Sequence, residues 1–181
     1  KKIKENSRNG NSYNLQPTQF KVITNSREIK ELNVVSSGDF IIASPINIGK
    51  LEINMAGSGN ILLEKKVEGN KLEINLASSG SVVASNIDLA GIECSLAGSG
   101  YIQIAGKADR AEYNLAASGN IKAYECVTGK TECNIAGSGN IQTHTRNQLE
   151  ANIVGSGNVY YKGNPTTSKS IIGSGKLKSA N

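Results

Sequence analysis

The chain has 181 residues, the length of one domain, and 20 Lys and Arg against 15 Asp and Glu give a net charge of +5. The basic residues are dispersed and not interleaved with aromatic residues, so we expect no nucleic-acid partner. Three cysteines, Cys94, Cys126 and Cys133, are too few for a disulfide framework, and no apolar run approaches the roughly 20 residues of a transmembrane helix.

Residues 1–16 are rich in Lys, Asn, Ser and Gly, which predicts a flexible N-terminal leader. Pro17 is the predicted boundary, and residues 17–181 form the predicted β-helix domain, with an N-terminal cap at about residues 17–30. Because the chain begins at Lys1 without Met, a signal peptide or lipoprotein leader could precede it. Any contact with a membrane is expected only through such a leader or lipid anchor.

A Ser-Gly motif recurs along the chain in eight copies, most often as Gly-Ser-Gly, at intervals of 18 to 21 residues. A fixed period of this length indicates stacked supersecondary units. The second glycines of the copies are Gly38, Gly59, Gly80, Gly100, Gly119, Gly139, Gly157 and Gly175.

The residues on both sides of each motif alternate between apolar and polar. Before the second glycine, Ile53 and Met55 alternate with Glu52 and Asn54, and after it the alternation resumes around Ile61. Such a period of two predicts a strand with one buried face on each side of a glycine corner. The variation in length falls after the second strand, which indicates a variable third side.

Together these features predict an all-β fold, a single-stranded right-handed parallel β-helix (solenoid) of about eight coils of 18–21 residues. At about 4.8 Å per coil the rod would be roughly 40 Å long. The Ser-Gly motif is then a structural corner, with the glycine expected to adopt a φ that a side chain would forbid. A phosphate-binding loop is the alternative, but such a loop occurs once and precedes a helix.

Two polar columns precede the corner. A glutamate lies seven residues before the second glycine in successive copies, and an asparagine lies five residues before it. Basic residues such as Lys50 and Lys71 lie two positions before the glutamates, which favours a solvated ladder of opposite charges over a calcium site.

Enzyme chemistry has few candidates in this sequence. Glu68, Asp88 and Asp109 lie eight or nine residues after their glycines and could stack into an acidic line that binds calcium or sugar. We predict no other metal site, no cofactor and no catalytic residue. Cys94 and Cys133 are separated by two coils, about 9–10 Å, and are expected to be free thiols.

Three residues after the glycine, the first coils place Ile41, Leu62 and Val83 at an outward position. An exposed apolar stripe marks a contact surface. Either residues 20–23 cover it or a second subunit does, and in the second case the chain would form a homo-oligomer.

The sequence Ala-Gly-Ser-Gly-Asn-Ile at residues 56–61 and 136–141, with a near copy at 116–121, resembles the family called putative auto-transporter adhesin, head GIN domain. The closing segment at residues 159–165, followed by the last Gly-Ser-Gly, is similar to the end of that family. The resemblance covers residues 20 to 177 and implies an exported protein of Bacteroidetes-type bacteria, at the cell surface, outer membrane or periplasm. The family motif consists of turn residues and defines no binding site.

The leading hypothesis is therefore a non-enzymatic envelope protein that acts in cell adhesion or surface binding, with a glycan or a surface protein as ligand. A self-assembling structural protein of the bactofilin type is the second hypothesis. A polysaccharide-active enzyme of pectin-lyase-like fold is the third.

Overall fold

In the computed structural model, residues 29–35 and 37–180 are described, and they form a parallel β-solenoid of about seven turns without a helix. This confirms the predicted fold class, with a coil number close to the expected eight. The predicted leader at residues 1–16 and most of the predicted cap, together with residues 20–23, lie outside the described residues.

Twelve strands run through the described residues, and the longest of them continue around the third side of a coil. They are β1 (Glu31–Val34), β2 (Phe40–Ile42), β3 (Ile46–Met55), β4 (Asn60–Leu63), β5 (Val67–Leu76), β6 (Ser81–Leu96), β7 (Tyr101–Ala117), β8 (Asn120–Gly137), β9 (Asn140–Gly155), β10 (Asn158–Lys162), β11 (Thr166–Gly173) and β12 (Lys176–Ser179).

All strand pairs are parallel, and each coil pairs with the coils before and after it. We call the segment that leads into a Ser-Gly corner the pre-corner strand and the segment that leaves it the post-corner strand. In the pre-corner stack Glu52 pairs with Glu73, and in the post-corner stack Ile61 pairs with Val82. Equivalent residues of successive repeats therefore lie directly above one another.

The interior is filled by the inward columns of these strands. Leu51, Ile53 and Ile61 are fully buried, and their equivalents stay buried until the last coil, where Lys169 is exposed and Leu177 half-buried. In β8 and β9 four buried threonines, Thr128, Thr131, Thr143 and Thr145, form a hydrogen-bonded cluster within the otherwise apolar interior. The Thr131 hydroxyl lies 2.6 Å from that of Thr128 and 2.8 Å from that of Thr145.

From Gly59 onward, the second glycine of each corner is required by the coil beneath it. A Cβ added to Gly59 would lie 2.1 Å from the carbonyl oxygen of Gly38, and one added to Gly139 would lie 2.2 Å from that of Gly119. Contacts this short are sterically forbidden. The corners therefore stack closely because no side chain separates them.

This steric reason differs from the expected one. None of the second glycines has a positive φ, whereas the first glycine of the motif does at Gly137 (144°), Gly155 and Gly173 (both 122°). Ala117 occupies the same position in its coil with a φ of 142°, which is uncommon for a residue with a side chain. The unusual backbone conformation thus belongs to the residue two positions before the one we expected.

Candidate functional site

The outer surface of the pre-corner stack, which we call the acidic face, carries the glutamate and asparagine columns in register. The side-chain amide of Asn54 donates a hydrogen bond of 3.0 Å to Oδ1 of Asn33, and that of Asn75 donates one of 2.9 Å to Oδ1 of Asn54. The same amide of Asn54 also donates to Glu52, at 3.0 Å. The asparagines therefore form a ladder between coils and fix the neighbouring carboxylates.

Lysines balance the charge of this face in the first coils only. Lys50 lies 3.4 Å from Glu52 and 3.0 Å from Glu73, and Lys71 lies 2.7 Å from Glu93. The hydrogen bond from Lys50 lowers the pKa of Glu73, with smaller contributions from the amide of Asn75 and the charge of Lys71. The predicted ladder of opposite charges is present here.

In the later coils the carboxylates have no basic partner. Among the described residues, no Lys or Arg nitrogen lies within 4 Å of Glu112, Glu132 or Glu150. Together with Arg110 and Lys130 they line a shallow groove of about 480 Å³ that is open to solvent. No group of three or more His, Cys, Asp or Glu suited to a metal ion occurs in the described part of the chain.

An exposed apolar column, which the sequence reasoning missed, lies beside the asparagines. The sequence contains the pattern that identifies it, because the residue three positions before each second glycine is always apolar. Its largest members stand at the ends, with Val35 80%, Val154 54% and Ile172 68% exposed. The column consists of Val35, Ala56, Ala77, Ala97, Ala116, Ala136, Val154 and Ile172.

The acidic line predicted on the third side does not form. Glu68 pairs with Asp88, but Asp88 pairs with Lys107. The register between β6 and β7 shifts after Ala84, because the β7 coil is one residue shorter there, and Asp109 falls two positions beyond the column. Lys107 lies 3.2 Å from Asp88, so the two carboxylates that do meet are already paired with lysine. The register therefore does not bring the three residues into one line, and a calcium or sugar site at them stays a prediction.

The apolar stripe of the first coils is a continuous column on the post-corner stack. Ile41 pairs with Leu62, and Leu62 pairs with Val83. Ile41 is 54% exposed, while Leu62 and Val83 are half-buried. Its role as an interface stays a prediction.

Further along the post-corner stack, lysines lie over tyrosine rings. We call Tyr101, Tyr124, Tyr160, Lys122, Lys162 and Lys178 the tyrosine–lysine patch. The lysine Nζ lies 4.7 Å from the ring centroid of Tyr101, 4.8 Å from that of Tyr124 and 5.5 Å from that of Tyr160, within the range of cation–π contacts.

The local structure of the patch depends on an irregularity in β8. The register with β9 shifts between Ala123 and Val127, so Tyr124 and Glu125 have no partner in β9, although Glu125 still pairs with Ala105 of β7. Lys162 can then contact both, lying 3.9 Å from the Glu125 carboxylate. Partial burial raises the pKa of Tyr124, with a smaller effect from Tyr160. Lys122 and Tyr160 both lie three residues after the second glycine of their repeats, but the lysine–tyrosine contacts were not foreseen because some of them join residues at different positions of the repeat.

The interior holds three free thiols, as expected for Cys94 and Cys133. Burial raises the pKa of all three and brings that of Cys126 to about 12, so the thiols stay protonated at neutral pH. Tyr113 lies among them, and its fully buried hydroxyl has no hydrogen-bond partner of normal geometry, although the Cys126 thiol is close enough to affect its pKa.

Comparison with known proteins gives consistent relatives. The sequence profile of the family "putative auto-transporter adhesin, head GIN domain" matches residues 2–67 and 61–165. A crystal structure of a "putative lipid binding protein" from Parabacteroides distasonis is similar at 53% identity and a TM-score of 0.83, covering 84% of this chain and 62% of its own.

Two further structures extend the likeness. A "putative adhesin" from Parabacteroides merdae has 33% identity and a TM-score of 0.78, over 84% of this chain and 64% of its own. One from Bacteroides fragilis has 27% identity and a TM-score of 0.66, over 72% of this chain and 61% of its own. The chain thus spans less than two thirds of the length of these relatives.

None of the curated proteins matches the chain. The described residues contain no helix that is long and apolar enough to cross a membrane.

Proposed function

The chain belongs to the putative auto-transporter adhesin, head GIN domain family, and on this premise we propose that it is an exported, non-enzymatic rod of the cell envelope that binds a surface ligand. The observation that carries the proposal is the arrangement of its polar side chains. They form ladders that repeat from coil to coil on open faces, as in the asparagine series, instead of converging on an enclosed cavity. Repeating faces suit an extended ligand that makes many similar contacts.

The occurrence of similar structures in Parabacteroides and Bacteroides supports an exported protein of this group of bacteria. We place it at the cell surface, with a glycan or a surface protein as its partner. Lipid binding is named for the similar structure from Parabacteroides distasonis described above, and we do not extend it to this chain.

The test uses polystyrene beads coated with the 181-residue chain and applied to plates coated with mucin, collagen or alginate. We expect the beads to be retained on at least one coating, and protease treatment of intact cells of the source bacterium to degrade the protein. Albumin-coated beads are the control. Retention no greater than that of albumin on every coating, with protection from protease, would overturn the proposal.

Self-association is a second candidate, favoured by one observation. The stacked Ile41, Leu62 and Val83 present apolar surface at one end of the post-corner stack, with Ile41 54% exposed. An exposed apolar column of this kind is typical of a contact surface.

A further inference from the structure

The tyrosine–lysine patch carries an inference that goes beyond a general surface-binding rod. We propose that the patch, with the amide columns beside it, binds one chain of an anionic polysaccharide whose sugar units bear carboxylate or sulfate groups. This rests on the proposed function and names the ligand class for it.

The charge of this region favours an anion. In the post-corner segments at residues 101–105, 120–125, 140–145, 158–162 and 176–179, the only acid is Glu125, which is 79% exposed and paired with Lys162. Lys122, Lys176 and Lys178 are exposed in the same region. The acidic face, by contrast, carries its carboxylates on the other stack. The post-corner segments therefore carry an excess of positive charge, whereas the acids and bases of the pre-corner segments over the same coils nearly balance.

The patch lysines are also fixed in position. Lys122, Lys162 and Lys178 each hold their ammonium group 4.7 to 5.5 Å from a tyrosine ring centroid. A ring that attracts an ammonium restricts the long lysine side chain while leaving N–H groups free to donate. A ligand carboxylate then meets a cation whose conformational freedom is already reduced, which lowers the entropic cost of binding.

Neutral hydrogen-bonding groups repeat next to the lysines. Asn158 donates to Asn140 at 3.1 Å, and Asn140 donates to Asn120 at 3.4 Å, so the carboxamides form one row along the rod. Gln142 pairs with Lys122 on one side and with Tyr160 on the other, in the neighbouring column. The spacing of about 4.8 Å between coils is close to the length of one sugar unit in an extended polysaccharide.

Two other anionic partners fit the patch less well. A membrane surface would be expected to receive large apolar side chains, but the exposed Val154 and Ile172 lie on the pre-corner stack and Ile41 lies at the opposite end. Single-stranded nucleic acid binds by stacking bases on open aromatic rings. Here each of the three rings already has an ammonium over it.

The experiment measures binding of the 181-residue chain to alginate, a polymer of uronic acids, with neutral dextran as the comparison, at about 0.05 M and about 0.5 M NaCl. The test variant combines Lys122→Gln, Lys162→Gln and Lys178→Gln. The matched control combines Lys50→Gln, Lys71→Gln and Lys130→Gln, which removes the same charge from the acidic face. Circular dichroism establishes that both variants retain the strand spectrum.

We expect binding to alginate but not dextran, weakened by the higher salt. The patch variant should bind alginate about tenfold or more weakly, whereas the control should change less than about twofold. A third variant, Tyr101→Leu with Tyr160→Leu, keeps every charge and should also weaken binding, because two of the lysines lose their ring contacts.

An equal loss in patch and control variants would mean attraction by net charge alone and would overturn the proposal. So would tighter binding to phosphatidylglycerol vesicles or to oligo-dT than to alginate. The bead assay separates this failure from that of the proposed function. If the chain does not bind alginate while beads of the wild type and the patch variant adhere equally to mucin or collagen, the polysaccharide proposal fails and surface binding stands.

Discussion

Each corner glycine faces the carbonyl oxygen of the glycine one coil below. The restriction is therefore imposed by the neighbouring coil and not by the local φ angle. Gly91 provides the contrast, since a Cβ added there would meet nothing within 4 Å.

This contrast gives a prediction for stability. Gly139→Ala should lower the free energy of unfolding by about 3 kcal/mol or more, because its Cβ would overlap the Gly119 carbonyl oxygen and the Leu115 side chain. Gly91→Ala should leave stability unchanged or raise it by about 0.4–1 kcal/mol. Urea unfolding followed by circular dichroism measures both. Equal effects at the two positions would contradict the steric account.

The interior hydroxyl of Tyr113 gives a second prediction. Because this buried group has no hydrogen-bond partner of normal geometry, Tyr113→Phe should raise the free energy of unfolding by about 1 kcal/mol. Thr131→Val should instead lower it by about 1 kcal/mol, since it would remove one hydrogen-bond partner of each of two buried threonines, which keep their bonds to the His144 carbonyl and to Thr143. Destabilisation by Tyr113→Phe would indicate that the Cys126 thiol satisfies the tyrosine hydroxyl.

At the level of the strands, the alternation of apolar and polar residues was enough to predict which columns stack. It predicted the glutamate and asparagine ladders because equal spacing from the corner gives equal register. It failed for Asp109, where one coil is a residue shorter, and it could not foresee Lys162 over Tyr124, which depends on a bulge in β8. The spacing between the corners does not show at which residue of a shorter coil the register shifts.

The charge ladder on the acidic face predicts a pH dependence. The hydrogen bond from Lys50 lowers the pKa of Glu73 in the folded chain, so this pair stabilises the fold above the unfolded pKa of about 4.3. Its contribution is lost as the pH falls through the lower, folded pKa.

Lys50→Met should therefore raise the pKa of Glu73 toward its ordinary value, as measured by NMR titration of the side-chain carboxyl. Lys65→Met is the matched control, because the exposed Lys65 makes no ion pair with Glu73. A Glu73 pKa that does not move in Lys50→Met would contradict the assignment of the hydrogen bond.

The two ends of the rod differ in surface chemistry. The post-corner stack begins with the apolar stripe of Ile41, Leu62 and Val83 and ends with the tyrosine–lysine patch. The fold and the apolar stripe could be predicted from the sequence, whereas the lysine–tyrosine contacts could not. The repeat pattern does not indicate which partner either end contacts.

The apolar end predicts an effect on association. Leu62→Glu should reduce self-association of the chain in sedimentation velocity experiments, because a carboxylate would be placed without a partner in an apolar contact. Gln103→Glu, in the same column but beyond the stripe, should leave association unchanged. An unaltered sedimentation profile in Leu62→Glu would remove the self-association candidate.

The stacking of corner glycines also affects how such a rod can change in evolution. Because the contacts at Gly139 involve only the coil below, a duplicated repeat would reproduce the same contacts above and below itself. Each added repeat would lengthen the rod by about 4.8 Å. Gene segments of one repeat could thus be gained or lost to adjust the reach of the protein, while the chemistry of its binding columns is preserved.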